Sequence, residues 1–484
     1  MDKNNPLQIL LRQFKSITIE PALFVYTFGL GIVLGAQITT NLLIWKICHL
    51  ELNYPEEICG NLSIEANQKI EGLVQAEVNN FLMKSNWIAS VPIIFFSVIA
   101  GALSDEFGRK PLLLLPMLGN FFAMMMNTIN YTFITSLPLE FFYLEQISAF
   151  FGGYAVYYLG MYSFVTNVTK EKERAHRLAR LDGMEILGYV AGTLSSPVIF
   201  KKLGYYGNYS ISAGMIALSL IYLLTFVQEP VSKQHESMSK EKNSLKKWCY
   251  LAVATPLLGM KSLIFKKRKL TLKLLILLQF AAFFIYWLII EVNLLKYLYM
   301  LFVFEGFNET DYSYFSVFND LSSAFSLMFI MPFLNAKLRI HDALMLVIVV
   351  GAEVTCYTAL PFASLLWQFY FASGVGSLGY CKYAIVRSLI SKCISIDEVG
   401  KVFSILAVVA ALAPVAGNPM FRQLYNATLE TFPGAIFLLA ASLLFVATAG
   451  NFFIYIKRHE LENAEDSEEK SIRTISETLE MTNL

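Results

Sequence analysis

Charged side chains that interrupt long apolar runs are the residues of this chain whose types and positions could do chemistry. Three of the acids in such runs are the first to consider, Glu185, Glu291 and Glu353. A carboxyl group surrounded by hydrocarbon favours its protonated form, and membrane proteins use such acids as proton relays. These acids are therefore candidates for binding and releasing a proton, and we name Glu185 and Glu291 as the coupling pair.

Each acid also has a structural explanation that the sequence leaves open. Glu185 lies near the start of its apolar run, where a helix N-terminus would stabilise a carboxylate. Glu291 is five residues from Lys296, and the two could pair locally. Glu353 is flanked by about ten apolar residues on each side, so it is either a protonated packing residue or a functional acid.

Two basic residues, Arg387 and Lys382, share one apolar run. A guanidinium group pairs well with a carboxylate or a phosphate, so Arg387 is a candidate anion clamp. Its alternative role is to extend to the inner membrane interface, as long basic side chains do. Lys382 lies deeper, and its charge suits a negative substrate. Asp320 is an acid in another apolar run. We also assign it to the predicted substrate-binding set.

Composition identifies the kind of element that positions these residues. Of 484 residues, 56% are hydrophobic and 15% are charged, against about 25% charged in soluble domains. This is the composition of a multi-pass membrane protein. We find no metal-ligand cluster, nucleophile motif, phosphate-binding loop or nucleic-acid module. We therefore expect no enzyme activity, no metal, no cofactor and no nucleic-acid partner.

Twelve apolar runs are long enough to cross a bilayer as helices. They cover about 20–45, 86–104, 111–132, 139–164, 180–202, 208–228, 271–303, 313–335, 341–362, 364–391, 401–422 and 433–456. Lysine and arginine concentrate in alternate connecting segments, which predicts that both termini are cytoplasmic.

The longest inner connection divides the runs six and six. It predicts a bundle over 1–228, a linker over 229–270, a bundle over 271–457 and a disordered tail over 458–484. The linker is basic and aromatic, so it either lies along the inner headgroups or is a solvated connection. Two six-helix bundles with a long linker describe the major facilitator architecture, in which the substrate site lies near the membrane midplane.

The segment between the second and third runs resembles the signature loop of the major facilitator superfamily. Its matching residues are Gly101, Asp105, Gly108, Arg109 and Lys110, and we predict a turn of about eight residues. The resemblance implies a gating latch, in which Asp105 pairs with a cation or a helix N-terminus in one access state. The alternative is an ordinary basic turn on the inner side.

The outer segments contain candidate modification sites. Cys48 and Cys59 share one polar segment, so a single disulfide bond there is an open prediction. Asn61 and Asn308 begin Asn-X-Ser/Thr motifs in outer segments and are predicted glycosylation sites.

Several stretches resemble solute carrier family 46, the proton-coupled folate transporter family. They are Gln37–Asn41, Leu103–Leu113, Met184–Gly192, Arg387–Ser404 and Leu424–Leu429. The resemblance implies transport of organic anions such as folates, cyclic dinucleotides or peptidoglycan fragments, often with protons. It also implies that Glu185 is the coupling acid and Arg387 the substrate-linked arginine.

Two runs differ from the folate carrier in that family. Tyr286 stands where the carrier has a histidine, and Glu291 stands where it has an aspartate. The fourth run reads Ala149–Gly153 without the carrier's aspartate. We place Tyr286 in the predicted substrate-binding set and expect a substrate other than folate itself.

The sequence therefore predicts a secondary active transporter of an organic anion, coupled to protons and working by alternating access as a monomer. An uncoupled facilitator and a non-transporting membrane receptor or scaffold are the alternatives. The plasma membrane and the endosomal or lysosomal membrane remain equally open as locations.

Overall fold

The computed structural model of the chain describes residues 18–35, 37–168, 171–228, 270–392 and 396–457. Within these ranges every regular element is a helix. The predicted all-α class is therefore confirmed for the described part of the chain. The tail 458–484 and all but the last residue of the predicted linker lie outside it.

The α-helices are numbered here in chain order. They are α1 Glu20–Leu30, α2 Ile38–Lys46, α3 Glu56–Cys59, α4 Gln68–Phe107, α5 Pro111–Thr132, α6 Gly153–Val168, α7 Glu171–Phe226, α8 Leu270–Val303, α9 Glu309–Phe325, α10 Asp342–Ala359, α11 Leu366–Gly376, α12 Lys382–Lys392, α13 Ile396–Thr428 and α14 Ala435–Ile456. Short 3₁₀ or π segments extend several of them, and those used below are Leu139–Phe151 before α6, Ser326–Ile330 after α9 and Ser377–Cys381 between α11 and α12.

Long apolar helices dominate the described residues. Seven helical stretches there are long and apolar enough to cross a membrane, which shows a multi-pass membrane protein. All twelve predicted runs coincide with helical residues, apart from a few residues at their ends. The number of crossings stays a prediction.

Helix α7 is interrupted at Gly204. Its 56 residues would extend over roughly 84 Å as one straight helix, far more than a bilayer requires. Gly204 adopts φ 62°, a conformation that a glycine accepts without steric cost. The interruption falls between the predicted runs 180–202 and 208–228. Helix α7 therefore contains the residues of two predicted membrane spans.

The described residues pack as two compact units. The first unit comprises residues 18–228 together with Leu295–Leu321, and the second comprises residues 270–294 and 322–457. Leu295–Leu321, the end of α8 and most of α9, thus packs with residues from the first half of the sequence.

Small residues fit α1 closely against α7 in the first unit. A Cβ atom at Gly29 would lie 3.0 Å from the Ser212 carbonyl oxygen, and one at Gly31 would collide with the Tyr189 carbonyl. Ser212 Oγ donates to the Gly29 carbonyl at 2.7 Å. Such close backbone approach is typical of packed membrane helices. It fixes the position of the α7 segment that contains Glu185.

A polar network joins α8 to α14 in the second unit. Gln279 Nε2 donates to Asn451 Oδ1 at 3.1 Å, and Asn451 Nδ2 donates to the Tyr286 hydroxyl at 2.7 Å. All three side chains are buried. The network fixes the ring of Tyr286 inside the unit, next to α12.

Candidate functional site

Glu185 lies beside tyrosines from the helices that pack on α7. Tyr157 and Tyr158 of α6 and Tyr26 of α1 all lie close enough for the Glu185 charge to act on them. The rings of Tyr26 and Tyr157 are 5.0 Å apart. Among the described side chains, no basic group forms an ion pair with Glu185. The described polar groups that act on Glu185 are therefore tyrosine hydroxyls and the carboxyl group of Asp182, rather than a cation.

The same face of α6 bears a second acid contact and exposed aromatic rings. Tyr162 donates its hydroxyl to Asp182 Oδ1 at 3.0 Å. The exposed fractions of Tyr154, Tyr158 and Tyr162 are 44%, 42% and 37%, whereas Tyr157 is buried. Tyr157 therefore packs in the core of the unit. The other three rings form an exposed aromatic surface near Glu185 and Asp182.

The predicted gating turn is shorter than expected. Helix α4 continues to Phe107 and α5 begins at Pro111, so three residues form the turn and the prediction of about eight was wrong. Gly101 and Asp105 lie on α4 itself, because the helix continues through the polar residues at its end. Their side chains lie outside the described part of the structure, so the latch role of Asp105 stays a prediction.

The other three residues of this motif make the turn and its contacts. Gly108 has φ 91°, which favours glycine. Arg109 Nη1 donates to the Ser163 carbonyl at 3.5 Å. Lys110 Nζ donates to the Val227 carbonyl at 2.7 Å, just beyond the end of α7. A cation at a helix C-terminus is favourable, so Lys110 connects the turn to α7.

A buried ion pair joins α10 to α12 in the second unit. Lys382 Nζ lies 2.7 Å and 2.6 Å from the two carboxylate oxygens of Glu353. Only 3% of Lys382 and 8% of Glu353 is exposed. Lys382, predicted to bind substrate, is thus held by an acid that was not assigned to the site. Tyr286, also predicted there, is fully buried and contributes its ring to the surroundings of Lys382.

Arg387 lies on the exposed side of α12. It follows Tyr383 by one helical turn, so the two side chains occupy the same face. The Tyr383 ring is 5.6 Å from that of Trp287, whose buried indole N–H has no hydrogen-bond partner among the described residues. The exposed Arg387 therefore lies on the same face of α12 as the aromatic ring of Tyr383, which in turn packs beside Trp287.

Glu291 makes a contact that the sequence did not indicate. Asn418 Nδ2 of α13 donates to Glu291 Oε2 at 2.7 Å, and the Arg422 charge also acts on Glu291. Arg422, the last residue of the predicted run 401–422, is 5% exposed. It lies inside the unit because α13 continues to Thr428. Lys296 instead lies in the first unit, where its charge acts on Asp320.

Asp320 is partly buried on α9. Its Oδ2 atom has no hydrogen-bond partner among the described residues. In this structure, therefore, Asp320 and Lys296 lie in the first unit, whereas Arg387, Lys382 and Tyr286 lie in the second. The predicted substrate-binding residues are not brought into one cluster within a unit.

The segments predicted to be outer contain a disulfide bond and two exposed asparagines. A disulfide bond joins Cys48 and Cys59, with their Cα atoms 5.7 Å apart. Asn61 and Asn308 are both exposed. Asn308 Oδ1 accepts from the backbone N–H of Thr310 at 2.9 Å, which caps the start of α9. Glycosylation of either asparagine stays a prediction.

Comparison with known proteins identifies the fold and the family. The Major Facilitator Superfamily model matches residues 85–352. The crystal structure of the human organic anion transporter MFSD10 (TETRAN) has a similar fold, with a TM-score of 0.60, 15% sequence identity, and coverage of 91% of this chain and 99% of that one.

Two relatives narrow the assignment. The human lysosomal proton-coupled steroid conjugate and bile acid symporter SLC46A3 is 26% identical over 89% of this chain and 92% of its own length. The Drosophila melanogaster probable peptidoglycan muropeptide transporter SLC46 is 23% identical over 88% of this chain and 83% of its own length. The chain therefore belongs to the major facilitator superfamily and, within it, to solute carrier family 46.

Proposed function

We propose that this protein is a secondary active transporter that carries an organic anion together with a proton by alternating access. The relatives support both parts of the proposal, because their names include a proton-coupled symporter of steroid conjugates and bile acids and a muropeptide transporter. Folates, cyclic dinucleotides, muropeptides, steroid conjugates and bile acids are the substrate classes to test. No cofactor other than the proton is required.

Arg387 is the observation that carries the anion assignment. It is exposed on a helix of the second unit, and its charge acts on Tyr383 of the same helix. An arginine that faced lipid near mid-membrane would be disfavoured by roughly 2.5–3.5 kcal/mol. We therefore place this face of α12 toward water, where the guanidinium group binds the carboxylate, sulfate or phosphate of the substrate.

Glu185 supports the proton assignment. Its surroundings are apolar groups and tyrosine hydroxyls, so the neutral carboxylic acid and the carboxylate differ strongly in solvation. Protonation removes a charge from the interior of the first unit and favours one access state over the other. Glu291 and the turn at Gly108–Lys110 are assigned supporting roles in coupling and gating.

The proposal also includes the predicted topology. Twelve crossings and two cytoplasmic termini would place the Cys48–Cys59 disulfide, Asn61 and Asn308 on the outer or luminal side. Accessibility labelling of single cysteines from each side of the membrane tests this arrangement. Labelling of the two termini from opposite sides would contradict it.

Uptake into proteoliposomes tests the function itself. Radiolabelled taurocholate, folate and muramyl dipeptide are supplied outside at about pH 5.5 or about pH 7.4, with the lumen at about pH 7.4. We expect at least one anion to accumulate faster from the acidic side. Equal uptake at both outer pH values would identify an uncoupled facilitator, and binding without uptake would identify a receptor.

A further inference from the structure

The ion pair between Glu353 and Lys382 lies deep within the apolar part of the second unit. Glu353 is eleven residues from the start of α10, or about 16 Å along the helix. Lys382 is the first residue of α12 and directly follows the 3₁₀ segment Ser377–Cys381. Both side chains are buried, because the chain continues as helix on either side of each residue.

Aromatic rings and a glycine lie directly around the Glu353–Lys382 pair. Lys382 Nζ contacts both oxygens of Glu353 and lies 5.4 Å and 5.0 Å from the ring centres of Tyr286 and Tyr383. Aromatic faces attract a cation at these distances. A Cβ atom at Gly379 would lie 2.6 Å from a Glu353 oxygen, so the absence of a side chain there makes room for the acid.

Further titratable groups from the neighbouring helices lie around the pair. They are Tyr286 from α8, Cys356 and Tyr357 from α10, Tyr380 and Cys381 from the 3₁₀ segment, and Tyr383 and Arg387 from α12. Among the described side chains, Arg387 is the additional charge in this group. The charge of Lys382 is therefore balanced mainly by Glu353.

The backbone beside the pair is irregular. The segment Ser377–Cys381 interrupts the α-helical geometry between α11 and α12. Ser377 Oγ lies 3.1 Å from Ser326 Oγ, which belongs to the π segment after α9. Short 3₁₀ and π segments within long helices often mark functional hinges. Two such segments meet one helical turn from Lys382.

A purely structural role does not explain this arrangement. Replacing a buried ion pair by apolar residues of similar volume is often neutral or stabilising. The pair is not the only polar contact described between α10 and α12, because Ser388 of α12 also donates to Asp342 of α10 at 2.7 Å. A cation whose partner can be neutralised by a proton has, in contrast, a direct use in anion and proton symport.

We propose that Glu353 and Lys382 form a proton-gated anion site, an inference that rests on the proposed function. A proton binds the Glu353 carboxylate, and the charge of Lys382 is then unbalanced. The anionic group of the substrate, which is a sulfonate in taurocholate, is first held by Arg387 and pairs with Lys382 as the hinge beside it opens. When Glu353 releases its proton to the inner side, it pairs with Lys382 again and displaces the anion.

The first test measures the uptake of radiolabelled taurocholate by the full-length protein in proteoliposomes, at outer pH values of about 5.5 and 7.4 with the lumen at about 7.4. Glu353→Gln keeps the shape of the acid and an acceptor for Lys382 but cannot titrate. We expect the ratio of uptake at the two pH values to fall to about one, while exchange at about pH 7.4 on both sides equals or exceeds that of the wild type.

Asp342→Asn is the matched control, because Asp342 is an acid of the same helix that also bonds to α12. It should keep the wild-type pH ratio. A Glu353→Gln protein with the wild-type ratio would overturn the inference while leaving the proposed function intact. A wild-type protein with no pH-dependent uptake would instead contradict the proposed function.

A second variant keeps the test valid if Glu353→Gln fails to fold. The double change Glu353→Met with Lys382→Met replaces both charges by apolar side chains of similar volume, a change that buried pairs often tolerate. We expect the purified double variant to keep the wild-type melting temperature within a few degrees and to lose taurocholate uptake by about tenfold or more. Wild-type uptake by this variant would overturn the inference.

Discussion

The two units hold their buried acids in different surroundings. Glu185 of the first unit lies among tyrosine hydroxyls without a cation among the described side chains. Glu353 of the second unit is bound through both oxygens to Lys382. A proton that binds Glu185 removes a charge, whereas a proton that binds Glu353 also frees a cation.

This difference separates two tasks that a proton-coupled symporter must combine. An acid without a partner cation responds to pH but provides no positive charge that could bind an anion. An acid paired with lysine responds to pH and controls access to the positive charge. We therefore assign proton sensing to the first unit and proton-dependent anion binding to the second.

The largest expected effect comes from neutralising the acid of the first unit. Glu185→Gln should reduce uptake driven by a pH gradient roughly tenfold or more, because the protein can no longer change charge there. Asp182→Asn, one turn earlier and bonded to Tyr162, should have a smaller effect. Initial rates of taurocholate uptake at two outer pH values measure both. Equal losses of uptake in the two variants would contradict a role for Glu185 that Asp182 does not share.

Removing the exposed cation of the second unit should weaken substrate binding. Arg387→Ala should raise the KM for uptake about tenfold, since a charge-assisted bond to the anion is lost. Arg387→Lys should recover part of the loss, because it restores charge without the guanidinium geometry. KM values at acidic outer pH give the measurement. An unchanged KM in Arg387→Ala would show that Arg387 does not bind the anion.

Glu71 extends the comparison to an acid outside the predicted spans. Burial raises its pKa from 4.5 to about 8, although the hydrogen bond from Gln75 acts in the opposite direction. Gln75 Nε2 also donates to the Leu298 carbonyl at 3.0 Å, which connects α4 to the end of α8. Glu71 is buried, and like Glu185 it forms no ion pair with a described basic side chain.

The native protein thus retains a proton on Glu71 that the unfolded chain releases between about pH 4.5 and pH 8. The free energy of unfolding should be largest in acid and fall as the pH rises through this range. Glu71→Gln, which stays neutral, should weaken this dependence. Melting temperatures of purified protein at about pH 5 and about pH 8 should differ by a few degrees more in the wild type. An identical pH dependence in both proteins would contradict the assignment.

The smallest effect is expected at Lys110, a cation that binds carbonyl groups at the end of α7. Lys110→Ala removes its contacts at the end of α7 and should lower the free energy of unfolding by about 0.5–1 kcal/mol. It should not change the ratio of uptake at the two outer pH values, unlike Glu353→Gln. Thermal unfolding and the uptake assay report these two properties separately.

Apolar runs and local motifs predicted much of the fold. Length and hydropathy placed the helices because a membrane span must satisfy its backbone hydrogen bonds internally and remain apolar. The gap between the runs 180–202 and 208–228 corresponds to the interruption at Gly204. The disulfide between Cys48 and Cys59 could also be predicted as a possibility, because both cysteines lie in one short segment.

The pairing of charges was not predictable in the same way. Glu353 and Lys382 were each recognised as unusual, but their contact depends on how α10 packs against α12. The contacts of Glu291 with Asn418 and Arg422 likewise join residues more than a hundred positions apart. A useful signal did exist, since opposite charges in consecutive apolar runs avoid the cost of a lone buried charge by pairing.

Proton movement caused by the anion itself tests the central claim most directly. Proteoliposomes that contain the wild-type protein and a luminal pH dye are prepared without an imposed pH gradient, and taurocholate is added outside. Coupled entry predicts acidification of the lumen that depends on the protein and is reduced in Glu353→Gln. Entry of radiolabelled taurocholate with no change in luminal pH would contradict the account.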